Sequence, residues 1–208
     1  MDAPCKVGLC TKLCKVLLYI TSYMKHFLEK FKKGVYVGNL VYGANDGIVT
    51  TFAVVAGSMG ALLPHGVIVI LGLANLLADG FSMGASNYLA LRSEKELRKN
   101  QGQKVQDVTQ EQTGHLIQHG LITFAAFVLA GSIPLIPYLF SLGTPQTNFI
   151  LSSMLAGVTF WAVGAARTLL TGGSPWRAGM EILVIGGLAS GVAFIIGWAV
   201  KTSFGIVI

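Results

Sequence analysis

An all-α membrane protein with five transmembrane helices is the fold class this sequence predicts, on three observations. The first is composition: of 208 residues, 53% are hydrophobic and only 12% are charged, roughly half the charge fraction of a soluble domain. The second is blocking, since the apolar residues come in runs long enough for a membrane-spanning helix, which takes about 20 residues. The third is that lysine and arginine collect on alternate connections. Transmembrane barrel strands are excluded, because the runs lack a period-two polar face.

The elements are justified in chain order. Residues 1–33 carry Leu9, Leu13, Leu17, Ile20, Met24, Phe27 and Phe31 at helical spacing, with lysines between them. That pattern predicts an amphipathic helix lying on the inner membrane surface. It does not read as a cleaved signal peptide, because the apolar core at 16–20 is short and no small-residue cleavage site follows. The three cysteines, Cys5, Cys10 and Cys14, match no zinc spacing and are expected as reduced thiols on the cytoplasmic side. The transmembrane domain then occupies 34–208, with spans predicted at 35–63, 66–91, 116–140, 149–170 and 178–200 and a short cytoplasmic connection at 92–115. Ser174 and Pro175 read as the cap and first turn of span five.

All of the fifteen Lys and Arg residues except Lys201 fall in the N-terminal tail, the 92–115 connection or the link between spans four and five. The positive-inside rule therefore places the N-terminus in the cytoplasm and the C-terminus on the opposite side. This accounts for the net charge of +6 as a topology signal. No nucleic-acid partner is expected, because the basic residues border spans and leave no basic fold to carry them. The expected surroundings are the lipid bilayer: the plasma membrane in a prokaryote, a vacuolar or other organelle membrane in a eukaryote.

Between Lys33 and Arg92 the only side chains expected to be charged at neutral pH are Asp46 and Asp79. At 1.5 Å per residue they lie about 16 Å and about 18 Å from the inner ends of spans one and two, at matching mid-bilayer depth. An aspartate there costs roughly 2.5–3.5 kcal/mol on insertion scales, so two of them require compensation. On span two, Asn75, Asp79, Met83 and Asn87 repeat every four residues, with Ser82 and Ser86 alongside. On span one, Asn39, Tyr42, Asp46 and Thr50 share a face, with Asn45 adjacent. Gly43 with Gly47, and Gly80 with Gly84, are GxxxG pairs that let backbones approach. They are expected to let the helix faces that carry Asp46 and Met83 pack closely against a neighbour. Two carboxylates, a thioether and amide oxygens form a mixed hard and soft set. It suits Fe²⁺ or Mn²⁺ better than Mg²⁺, Ca²⁺ or Cu⁺. The bland reading is that the stripe only bonds helices together and Met83 fills a gap, which methionine commonly does.

The stretches "GANDGIVTTFAVVAG" and "GLANLLADGFSMGASNYL" resemble the first two helices of the vacuolar iron transporter family. The likeness continues through "FAAFVLAGSIPLIPYLF" and "GMEILVIGGLASGVAFIIG", so it runs over 35–200. It implies five transmembrane helices, a homodimer with the ion path between protomers, and export of Fe²⁺ from the cytosol driven by protons. It also implies that Asp46 and Met83 are transport-path ligands. In such a dimer the glycine-bearing faces are expected to bring Asp46 and Met83 toward their symmetry mates. Metal is then substrate, H⁺ the counter-ion, and no cofactor is bound permanently. Two departures stand out. The 92–115 connection is too short for the glutamate-rich cytoplasmic unit of some members, and Asn87 occupies a position where many have glutamate.

In place of that unit, Asp107, Glu111, His115 and His119 recur every four residues and would form one ligand-capable face on a continuous helix. The bland alternative is a solvated helix face, and Gly114 weakens the helix. His26 and His65 are isolated, and Arg167 and Glu181 are explained by placement at inner span ends. No phosphate loop, nucleophile elbow, zinc-protease helix or dinucleotide fingerprint is present. The reading is therefore a metal exporter and not an enzyme. Its competitor is a non-transporting membrane scaffold that uses the polar stripe to dimerise.

Overall fold

The computed structural model describes residues 36–101, 110–141 and 143–204. The expected N-terminal amphipathic helix, the three cysteines and Asp107 lie outside the described residues. The chain divides into two compact units, Met1–Gly38 and Asn39–Ile208. Of the first, only the opening of one helix is described; the packing of the spans belongs to the second.

The elements are α1 (Val37–Gly60), α2 (His65–Asn100), α3 (Gln110–Ser132), a 3-10 turn (Ile133–Leu135), α4 (Ile136–Leu139), α5 (Pro145–Thr171) and α6 (Pro175–Phe204). Five stretches are long and apolar enough to cross a membrane: Val37–Gly60, His65–Asn100, His115–Leu139, Pro145–Thr168 and Pro175–Ser203. The predicted fold class is borne out, with α3, the 3-10 turn and α4 together making span three.

Boundaries moved where capping chemistry outranks hydropathy. Span four begins at Pro145, ahead of the expected 149, because the Thr144 hydroxyl accepts the Thr147 N–H at 3.3 Å and Pro145 fills the first turn. The Thr-Pro pair was a readable signal. Gly172 ends α5 with φ of 65°, a left-handed conformation that only glycine adopts without cost. As expected, α6 opens at Pro175. The helix of span two runs on to Asn100, 36 residues in all, or about 54 Å at 1.5 Å per residue. Its last turns pass beyond a hydrocarbon core of about 30 Å and carry two i,i+4 pairs, Arg92–Glu96 and Glu94–Arg98. Part of the 92–115 connection is thus the continuation of α2.

Spans one and three form the centre of the bundle. About half of span three's membrane window is buried within protein, against less than a quarter for spans two, four and five. Ile48, Val55, Phe127 and Leu135 are fully buried in one apolar cluster. The helix of span three breaks at "IPLIP", because Pro137 has no N–H to return to the Pro134 carbonyl at 3-10 spacing. Ser152 of α5 supplies the missing donor, its hydroxyl reaching the Pro134 carbonyl at 2.6 Å inside the protein. Ser152→Ala leaves that carbonyl without this donor and should cost about 1–3 kcal/mol. The expected result is a lower melting temperature in detergent, and an unchanged value would refute the role of this bond.

Toward the ends of the spans, the Ser141 hydroxyl and His65 Nε2 lie 3.2 Å apart, and the His65 ring packs on Tyr138. Arg167 and Glu181 form a 3.0 Å ion pair between spans four and five.

Candidate metal path

Asp46 on α1 and Asp79 on α2 are both half-buried. Among the described residues neither carboxylate has a Lys, Arg or His ion-pair partner. Their surroundings are small or polar. Asn45 holds its Oδ1, and Asn75 its Nδ2, in buried positions with no hydrogen-bond partner. Leaving a buried polar atom unpaired costs about 1–3 kcal/mol each, so these amides mark a place where packing alone does not satisfy the chain. Thr50 turns its hydroxyl back to the Asp46 backbone carbonyl at 2.8 Å.

Met83 is partly buried and packs against the apolar core. Asn87 is committed elsewhere in part: its Nδ2 donates to the Thr123 hydroxyl of α3 at 2.7 Å. Asn39 of α1 donates to the same hydroxyl at 3.3 Å. Sequence reasoning missed Thr123, which sits alone among apolar neighbours on span three. Only the arrival of two amides from other helices marks it.

The glycine pairs do not act as expected. A Cβ on Gly43 would lie 2.5 Å from the Thr123 carbonyl oxygen, and one on Gly47 would lie 2.3 Å from that of Phe127. A Cβ on Gly84 would sit 2.8 Å from the Gly120 oxygen, and one on Gly80 would press on Phe124 and Phe127. Both GxxxG faces are therefore occupied by span three of the same chain and are not free to meet a partner. What these two spans leave open includes polar side chains, Ser82 and Ser86 and Tyr42 at 64% exposure, beside apolar ones such as Leu77 and Phe81.

At the N-terminal end of span three, Glu111, His115 and His119 fall on the continuous helix α3. His115 and His119 are both partly buried, and His115 Nδ1 lies 3.1 Å from Gln118 Oε1. Among the described residues, no three His, Cys, Asp or Glu side chains come together in a metal-binding cluster. A cavity of about 480 Å³ between spans two and three, lined by Phe81, Tyr88, Leu121 and Phe124, offers no ligand chemistry.

The profile of the VIT family matches residues 37–115 and 102–198, nearly the whole described chain. The chain belongs to the VIT family. It is 26% identical over 232 residues to Vacuolar iron transporter 1 of Oryza sativa subsp. japonica, covering 87% of this chain and 92% of that protein. It is 28% identical over 219 residues to Vacuolar iron transporter 1 of Tulipa gesneriana, covering 80% and 87%. The Vacuolar iron transporter of Toxoplasma gondii is 26% identical over 221 residues, covering 78% of this chain and 73% of that protein. The resemblance seen in the two aspartate-bearing motifs is thus borne out along the chain. VIT membership also bears out the reading that this is a transport protein and not an enzyme.

Proposed function

We propose that this VIT protein carries divalent metal, Fe²⁺ foremost and Mn²⁺ second, out of the cytosol in exchange for protons. The path runs along the polar faces of spans one and two, where two copies of the chain meet. The observation that carries the reading is the pair of carboxylates, Asp46 and Asp79, half-buried at mid-membrane depth with no basic partner among the described residues. Two like charges in a low-dielectric setting need a cation or protons to neutralise them. A species that must leave again suits two carboxylates and neutral oxygens better than a closed four-ligand site, which would trap a metal. The half-exposed Asp79 and exposed Ser82 and Ser86 belong to a face that lipid would cover poorly. A second copy supplying the same face, with water between, resolves that cost.

The relatives' names support iron as substrate and a vacuole-type membrane as residence. Asp46, Asp79, Asn45, Asn75, Met83 and Asn87 are the proposed contributors to the path. Purified protein in liposomes should take up Fe²⁺ and Mn²⁺ with matching proton movement in the opposite direction. Absence of both fluxes would favour the scaffold reading.

Glu111, His115 and His119, with Asp107, are proposed as a collecting face at the cytoplasmic mouth. His115→Ala combined with His119→Ala should raise the metal concentration giving half-maximal uptake. An unchanged concentration dependence would return these residues to ordinary helix packing.

A further inference from the structure

Asn39 and Asn87 come from different spans, yet both amides converge on one hydroxyl and one carbonyl of α3. Asn87 Nδ2 lies 2.7 Å from Thr123 Oγ1 and 3.5 Å from the His119 carbonyl oxygen. Asn39 Nδ2 lies 3.3 Å from Thr123 Oγ1 and 3.4 Å from the same carbonyl. The Thr123 hydroxyl spends its only proton on the His119 carbonyl at 2.9 Å. Its oxygen can therefore only accept, and a carbonyl can only accept. That logic fixes the orientation of both amides. Each must present nitrogen to α3, so each turns its oxygen away from α3.

Thr123 is fully buried, so the anchor is rigid and dry. Neither Asn39 Oδ1 nor Asn87 Oδ1 is bonded within the described residues, and neither is a sealed, unsatisfied atom. Asn39 lies two turns below Asp46 on one face of α1, and Asn87 two turns beyond Asp79 on one face of α2. The two amides, joined through Thr123, thus make a second rung roughly 10–12 Å along the helices from the level of Asp46 and Asp79.

We infer that Asn39 and Asn87 form a neutral, all-oxygen entry site for a divalent cation, with Thr123 as the positioning residue that holds both carbonyls toward the path. The inference rests on the transport reading above and adds a second site to it. Carbonyl dipoles without net charge replace part of a cation's water shell without holding it tightly, as an entry station ahead of a carboxylate pair requires.

The test combines two readouts, Mn²⁺ titration of the purified full-length protein and the concentration dependence of Mn²⁺ uptake in liposomes. Thr123→Val keeps the shape but removes the anchor. It should raise the half-saturating concentration about tenfold, the weight of one ordinary polar contact, and by more than it lowers the maximal rate. Thr123→Ser should restore the wild-type value, which a purely packing role for the threonine would not require. Should Thr123→Val fail to fold, Asn39→Asp decides the matter. It is read beside Asn87→Asp: each variant exchanges one amide of the rung for a carboxylate and gives up that amide's bond to Thr123, and either should tighten Mn²⁺ binding several-fold. Unmoved half-saturation and affinity in these variants, in a protein that transports Mn²⁺ normally, would overturn the entry site and leave the transport reading standing. A wild-type protein with no flux would instead sink the transport reading, while the titration would still judge the Asn39 and Asn87 rung.

Discussion

Replacing Asp46 with asparagine should abolish metal flux while leaving a folded, correctly assembled protein. Asparagine is nearly isosteric and removes only the charge that an incoming cation meets midway through the membrane. Losing one partner of a desolvated charge interaction costs roughly 2–5 kcal/mol. At about 1.4 kcal/mol per tenfold change, uptake at low metal concentration should fall at least about thirtyfold. Removing a half-buried charge from a membrane span should at the same time preserve or raise the melting temperature. That opposition is diagnostic, because a residue kept for stability alone would lose both. Wild-type flux through purified Asp46→Asn protein would remove the carboxylate from the mechanism. Asp79→Asn should follow the same pattern if the two act as a pair, and a normal rate there would assign the work to Asp46 alone.

The second large effect falls on structure. Gly47→Val should prevent assembly of the bundle, because its Cβ would lie 2.3 Å from the Phe127 carbonyl oxygen and 2.9 Å from that residue's backbone carbons. Backbone in a helix cannot swing aside as a side-chain end can. The crossing is tight from the other side too, with a Cβ on Gly131 meeting the Gly47 oxygen at 2.6 Å. Overpacking of a sound core costs about 1–3 kcal/mol and occasionally more, and a backbone clash belongs at or above the top of that range. For a chain of this size each kcal/mol moves the melting temperature by about 2–4 °C, so a fall of roughly 10 °C or outright aggregation is expected. Gly157→Val is the matched control. Nothing lies within 4 Å of a Cβ there, and the variant should behave as wild type. Equal behaviour of the two in a thermal melt would refute the close crossing of spans one and three.

Much of this molecule is legible without coordinates. Hydropathy and length are local properties, so the five spans and their order follow from the chain itself. An expectation of equal depth for Asp46 and Asp79 was also readable, because a constant rise per residue turns positions on antiparallel neighbours into depths. The VIT motifs were readable for the same reason, since they are runs of adjacent residues. Span ends were less so. Hydropathy puts the fourth start at the apolar residue Phe149, while the Thr144 cap and Pro145 set it four residues earlier.

What hydropathy could not supply is rotation about the helix axis and the choice of neighbour. In a soluble helix the polar face shows which way to turn, but in a membrane span nearly every side chain is apolar on all sides. Close-approach motifs such as Gly43 with Gly47 say that some backbone comes near, not whose. The structure gives that place to span three, where Phe127 and Thr123 complement the glycine surface in shape. The proposed dimer would then use another face. The same limit hid Thr123, a lone hydroxyl in an apolar run, until Asn39 and Asn87 reached it from sequence separations of 84 and 36. Depth and span order came from one-dimensional spacing; contact partners came from matching three-dimensional surfaces, and only packing decides those.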